Sequence, residues 1–123
     1  MPVDTHQIID ESILDSYRAL QDDGQPDIIT EFIDIFLADL PGRLARIAEA
    51  LEPADPKVSE LRSAAHALKG SSGSVGAVGL SGLCGQLESI ARAGSSAGAK
   101  ELFERIRHES TKATTELTKL RKP

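Results

Sequence analysis

An all-α fold is predicted for this chain of 123 residues: an antiparallel up-down four-helix bundle with a short additional N-terminal helix. Three observations carry the prediction. Aromatic residues are only 3% of the chain and Trp is absent, so the core has to be assembled from Leu, Ile, Val and Ala, which favours packed helices over a sheet. Apolar residues recur at intervals of three and four along successive segments. The connections between those segments are short, which makes consecutive helices antiparallel neighbours.

The first segment, about Asp10 to Leu20, is short and sets Ile13, Leu14, Tyr17 and Leu20 at helical spacing before the turn-forming run Gln21-Asp22-Asp23-Gly24-Gln25. The second starts near Pro26, a good first-turn residue, with Asp27 favourable at the positive end of the helix dipole. Its stripe runs through Ile29, Phe32, Ile33, Phe36, Leu37, Leu40, Leu44, Ile47 and Leu51. Pro41-Gly42 interrupts the sequence of that stripe but not its phase, so one kinked helix to about Leu51 is expected. Asp55-Pro56 reads as an N-cap followed by proline at the first helical position of the third segment. There Val58, Leu61, Ala65, Leu68 and Ser72 face inward, and Ser59, Arg62, His66, Lys69 and Gly73 form the adjacent outward stripe.

The glycine- and serine-rich stretch from Gly70 to Gly79 is expected to hold the next turn. The fourth segment, about Leu80 to Ala93, turns Leu80, Leu83, Leu87 and Ile90 inward and ends at Gly94-Ser95-Ser96. Its small residues Gly82, Cys84 and Gly85 would let a neighbouring helix approach closely. The fifth, about Ala99 to Leu120, repeats Leu102, Ile106, Ala113, Leu117 and Leu120, with a solvated charged face. No internal repeat or long linker divides the chain, so residues 1–123 are expected to form a single domain.

Composition removes several function classes. A net charge of −5 argues against nucleic acid as the main ligand, because phosphate binding needs clustered excess Lys and Arg. The lone Cys84 excludes an internal disulfide and a cysteine-based zinc site, and fits a reducing compartment. No apolar run approaches the roughly 20 residues that span a bilayer, and Met1-Pro2-Val3-Asp4 lacks the features of a signal peptide. A cytoplasmic location, no membrane association and a monomeric state are the expectations. A chain opening on Met1 and closing on Leu120-Arg121-Lys122-Pro123 leans towards a free-standing protein, with a piece of a hybrid kinase as the alternative.

The chemistry concentrates in one run, His66-Ala67-Leu68-Lys69-Gly70-Ser71-Ser72-Gly73-Ser74-Val75-Gly76-Ala77. His66 points away from the core, with Arg62 a turn before it and Lys69 a turn after. Gly70 leaves no side chain to block an approaching partner, although glycine in a helix costs about 0.5–1 kcal/mol relative to alanine. Imidazole is substantially uncharged and nucleophilic at neutral pH, so one ring nitrogen can attack phosphorus while the other keeps its proton. Lys69 would bring positive charge to a transferring phosphoryl group, and Arg62 would add to the field. Nothing converges around His6 or His108, which read as ordinary surface histidines. A P-loop is excluded because no glycines precede Lys69 between a strand and a helix, and the lack of Glu-x-x-His pairs and the apolar core argue against a metal-binding bundle.

The run His66-x-Leu68-Lys69-Gly70-Ser71-Ser72, followed by Gly76-Ala77, closely resembles the motif of histidine-containing phosphotransfer (HPt) domains. The resemblance extends to the short first helix, the Phe32/Phe36 helix with Pro41, and the five-helix order. It implies that His66 accepts a phosphoryl group on its far ring nitrogen, that Lys69 assists transfer and that Gly70 permits docking. Ser71-Ser72 looks like helix-end hydrogen bonding. In relatives a Gln or Glu on the following helix often bonds the near ring nitrogen; Glu88 stands at the matching distance, off the inward stripe, with Gln86 as a second candidate. The implied partners are response-regulator receiver domains and a sensor or hybrid histidine kinase. The implied role is an intermediate without kinase activity, needing no cofactor because Mg²⁺ sits on the receiver. Two other readings share the bundle: a docking module without phosphate chemistry, and the phospho-accepting domain of a chemotaxis-type kinase.

Overall fold

The computed structural model describes residues 7–122, and among them every regular element is a helix. Helix α1, Glu11–Asp15, is capped by Asp10, whose side chain accepts from the Ser12 amide; a 3-10 turn over Ser16–Leu20 continues it. Helix α2 spans Ile28–Leu51, α3 Val58–Ser74, α4 Val78–Arg92 and α5 Ala99–Leu120. Contacts join α2 to α3, α3 to α4, α4 to α5, and α5 back to α2, which closes the four-helix bundle.

Helix α2 starts one residue after its cap, with the Asp27 carboxylate accepting from the Thr30 amide at 3.0 Å. It runs through Pro41 without a break, as the unbroken phase of its stripe predicts, and Leu40 stays buried. Two boundaries differ from the sequence reading. Asp55 does not cap α3: the capping position is Lys57, with no side-chain cap, because the Lys57 amide bonds back to the Ala50 carbonyl at 3.1 Å and holds Pro56 outside the helix. The turn expected from Gly70 onward is confined to Val75–Ala77, so Gly70 and Gly73 are helical. Serine hydroxyls support that last stretch of α3. Ser72 Oγ bonds the Leu68 carbonyl at 2.5 Å and Ser74 Oγ the Gly70 carbonyl at 2.9 Å.

Gly76 adopts a φ of 79°, and a side chain there would also collide with the Asp10 carbonyl at 2.6 Å. The same turn is stitched to the N-terminal segment by the Asp10 amide, which donates to the Gly76 carbonyl at 2.7 Å, and by the Tyr17 hydroxyl, which donates to the Ser74 carbonyl at 2.9 Å.

The core contains Ile33, Ile47, Leu61, Leu68, Leu80, Leu87, Ile106 and Leu117, all fully buried, as the aliphatic composition requires. Cys84 is buried among them, and burial pushes its thiol up to about 12, which makes it inert at neutral pH. Of the small residues on α4, Gly85 does allow a close approach: a side chain there would touch the Lys69 stem at 3.5 Å. Gly82 does not, since nothing lies within 4 Å of the same addition. No helix among the described residues is long and apolar enough to cross a membrane.

Candidate functional site

The α3–α4 pairing builds the site. Ser81 Oγ bonds the Lys69 carbonyl at 3.0 Å and Gly85 leaves room for the Lys69 stem, so the edge of α4 carrying Ser81, Gly85 and Glu88 is pressed against α3. Glu88 is thereby driven inward. Its side chain is only 4% exposed, whereas a position off the inward stripe suggests a surface glutamate.

From that position Glu88 organises three groups. His66 Nδ1 lies 2.6 Å from Oε2, Lys69 Nζ donates to Oε1 at 2.5 Å, and Arg92 Nη2 lies 3.2 Å from Oε2. The lysine hydrogen bond, chiefly, holds the Glu88 carboxyl down at about 2 against the opposing effect of burial, with His66 adding to the effect. Glu88 is therefore a carboxylate at neutral pH, and a carboxylate only accepts. The proton in the short His66–Glu88 contact must then reside on Nδ1. In the neutral ring that fixes the tautomer and leaves Nε2 with its lone pair free. The His66 side chain is 68% exposed, so its nucleophilic nitrogen faces solvent rather than the core.

Lys69 is 36% exposed and stands one turn from the imidazole on the same carboxylate. Gly70 is exposed, and a side chain added there would meet nothing within 4 Å. Glycine at this position is thus not demanded by packing within the chain. Arg62 is exposed and lines a shallow cleft of about 380 Å³ with His66, Glu88 and Arg92. Gln86 is not brought to His66: it is exposed on the other flank of α4, where it shares a cleft with Gly82 and Arg105. His108 is exposed on α5 and lines a different cleft with Glu104 and Lys112, and His6 lies outside the described residues. Among the described residues no three His, Cys, Asp or Glu side chains converge as metal ligands would. Sequence reasoning missed Arg92. The signal was its position four residues after Glu88 on one helix, a spacing that pairs opposite charges.

The site is thus a solvent-facing histidine held by a buried carboxylate, with a cation on the same carboxylate and an open glycine one turn on. The family model described as Hpt domain matches residues 31–120. The chain belongs to the Hpt domain family. Hpt domains are phosphotransfer intermediates of two-component phosphorelays, not kinases, and interact there with receiver domains and histidine kinases.

Solved structures agree with this Hpt assignment. The histidine-containing phosphotransfer protein B (HptB) of Pseudomonas aeruginosa PAO1 is 30% identical, covers 95% of each chain and superposes with a TM-score of 0.79. The phosphotransfer protein MtHPt2 of Medicago truncatula is 27% identical over 92% of this chain and 76% of its own, also at 0.79. The maize protein ZmHP2, at 22% identity over 91% of this chain and 81% of its own, shares the fold at 0.79. No curated protein sequence matches this Hpt domain significantly.

Proposed function

We propose that this Hpt domain relays a phosphoryl group between receiver-domain aspartates through His66. Nε2 attacks the phosphorus of an aspartyl phosphate on one receiver. An N–P bond forms, the P–O bond to the aspartate breaks, and the aspartate leaves as a carboxylate. The reverse displacement on a second receiver returns the group to an aspartate. Throughout, Glu88 keeps the proton on Nδ1, so the ring can carry positive charge as the N–P bond forms without shedding that proton. Lys69 adds positive charge where the equatorial oxygens collect, and Gly70 leaves room for the partner. The divalent cation belongs to the receiver's acidic pocket, and the chain acts as a monomer without a cofactor of its own.

The observation that carries this reading is the 2.6 Å contact between His66 Nδ1 and the buried Glu88 carboxylate. The test is incubation with phosphorylated receiver domains, followed by mapping of the acquired phosphate. An acid-labile, base-stable phosphate on His66, absent from His66→Gln, is expected. Failure of transfer from every receiver, with helicity intact by circular dichroism, would instead favour a docking module that keeps the motif without using it.

A further inference from the structure

Three groups share the buried Glu88 carboxylate, and they share it unequally. Lys69 Nζ donates to Oε1 at 2.5 Å, and His66 Nδ1 lies 2.6 Å from Oε2. Arg92 comes from the same helix as Glu88, one turn on, and its Nη2 stands 3.2 Å from Oε2 as an ion pair. The Arg92 side chain is 54% exposed, and an exposed pair of this kind adds little while a closer cation is in place. The resting fold therefore has one more cation at Glu88 than it needs. Arg62 lines the same cleft, yet the ion pairs of Glu88 among the described residues go to His66, Lys69 and Arg92.

The surplus has a use once phosphate arrives. Glu88 holds the ring at Nδ1, and the bonds that leave an imidazole at Nδ1 and Nε2 point in diverging directions. A phosphoryl group on Nε2 therefore lies away from the carboxylate on which Lys69 rests. It brings about two negative charges and several acceptor oxygens, and the Lys69 amine, at the end of a flexible stem, meets them only by leaving Glu88. A carboxylate as buried as Glu88 holds strongly to its last cation, because an uncompensated charge in the interior is costly. With Arg92 on Oε2, Lys69 is not the last cation.

We propose that Arg92 is a positioning residue for phosphotransfer: it takes over the Glu88 carboxylate and so frees Lys69 to turn to the phosphoryl oxygens. The inference rests on the phosphotransfer reading above. Arg92 acts through Glu88 and Lys69 and needs no contact with phosphate or partner. The three residues are coupled in consequence. Removing Arg92 strands Lys69 on Glu88, so it should cost what removing Lys69 costs. Removing both should cost no more than removing Lys69 alone. Where position 88 carries no charge, Lys69 is already free and Arg92 should not matter.

The test uses the full chain, with His66 phosphorylated by phosphoramidate and single-turnover transfer followed to a purified receiver domain. The Lys69 Nζ resonance reports whether the amine moves. In the wild type it should shift when His66 is phosphorylated. In Arg92→Met it should stay, and the maximal transfer rate should fall about tenfold or more. The thermal midpoint and the receiver concentration that gives half the maximal rate should hold. Arg92→Lys, which keeps a cation one turn from Glu88, should restore both the shift and the rate. Arg92→Met should add no further loss to Lys69→Ala or to Glu88→Gln. An undiminished rate in Arg92→Met would overturn the inference and leave the relay intact. So would an equal loss in the Glu88→Gln background, or a loss that more receiver overcomes, since Arg92 would then touch the phosphoryl group or the partner itself. A Lys69 resonance that moves in the phosphorylated wild type but not in Arg92→Met, with no transfer to any receiver, would sustain the inference while refuting the relay. An unmoved resonance in the phosphorylated wild type, or a His66 that phosphoramidate does not phosphorylate, would overturn it.

Discussion

Gly70 is helical, exposed and has nothing within 4 Å of an added Cβ, so a side chain there can start outward unobstructed. Replacing it with Gln, a good helix former, removes the entropic penalty of glycine. The gain is about 0.5–1 kcal/mol, nearer the lower figure because only four residues of α3 follow. At about 2 cal/mol/K per residue of unfolding entropy, a chain of 123 residues gains roughly 2–4 °C in its melting midpoint. Phosphotransfer should move the other way. A side chain standing one turn from His66 keeps the donor aspartyl phosphate out of line, and a misplacement of about 1 Å can cost on the order of 100-fold in rate. Differential scanning calorimetry and single-turnover transfer from a phosphorylated receiver domain give the two readouts on one preparation. Gly82→Ala is the control, since Gly82 is equally unobstructed but faces the cleft shared with Gln86 and Arg105. It should gain stability and transfer normally. If Gly70→Gln is stabilised yet transfers at the wild-type rate, the access argument is wrong. If it is destabilised, the glycine serves the backbone and not the partner.

Glu88→Gln keeps one oxygen where two are used and presents an NH₂ to the other donors, so a stability loss of about 1–2 kcal/mol is expected at neutral pH. The Glu88 carboxyl is depressed in the folded state, so its stabilising effect is complete above the ordinary value of 4.5 and fades as pH falls towards about 2. Urea unfolding of the two proteins between pH 7 and pH 2 should show their difference closing over that interval; a constant gap would refute the pairing. Lys69→Ala should slow transfer roughly 10- to 100-fold without abolishing it, because it removes charge near the phosphoryl oxygens but leaves the nucleophile. Complete loss, or no change, in the same single-turnover assay would count against an assisting role.

The helices and the family motif around His66 were legible because they rest on local rules. Stripe phase carried α2 through Pro41, and the run from His66 to Ser72 lies on one helix. What sequence left open depends on packing between helices. The burial of Glu88 follows from how closely α4 settles on α3 beside Gly85, and intrinsic periodicity places the residue off the inward stripe. Arg92 enters only because Glu88 is there to receive it. The start of α3 was misplaced because the Lys57 amide is taken by Ala50, a contact seven residues back that overrides the Asp55-Pro56 signal.

The two faces of α3 draw on different parts of the chain. His66 and Lys69 take their support from Glu88 and Arg92 on α4, while Ser71 and Ser74 line a groove with Tyr17 and Phe32 from the N-terminal third. Substitutions on α2 can therefore remodel that side of the helix without disturbing the carboxylate that holds His66 and Lys69. A duplicated gene has, in that face, room to diverge while the His66 cluster stays fixed.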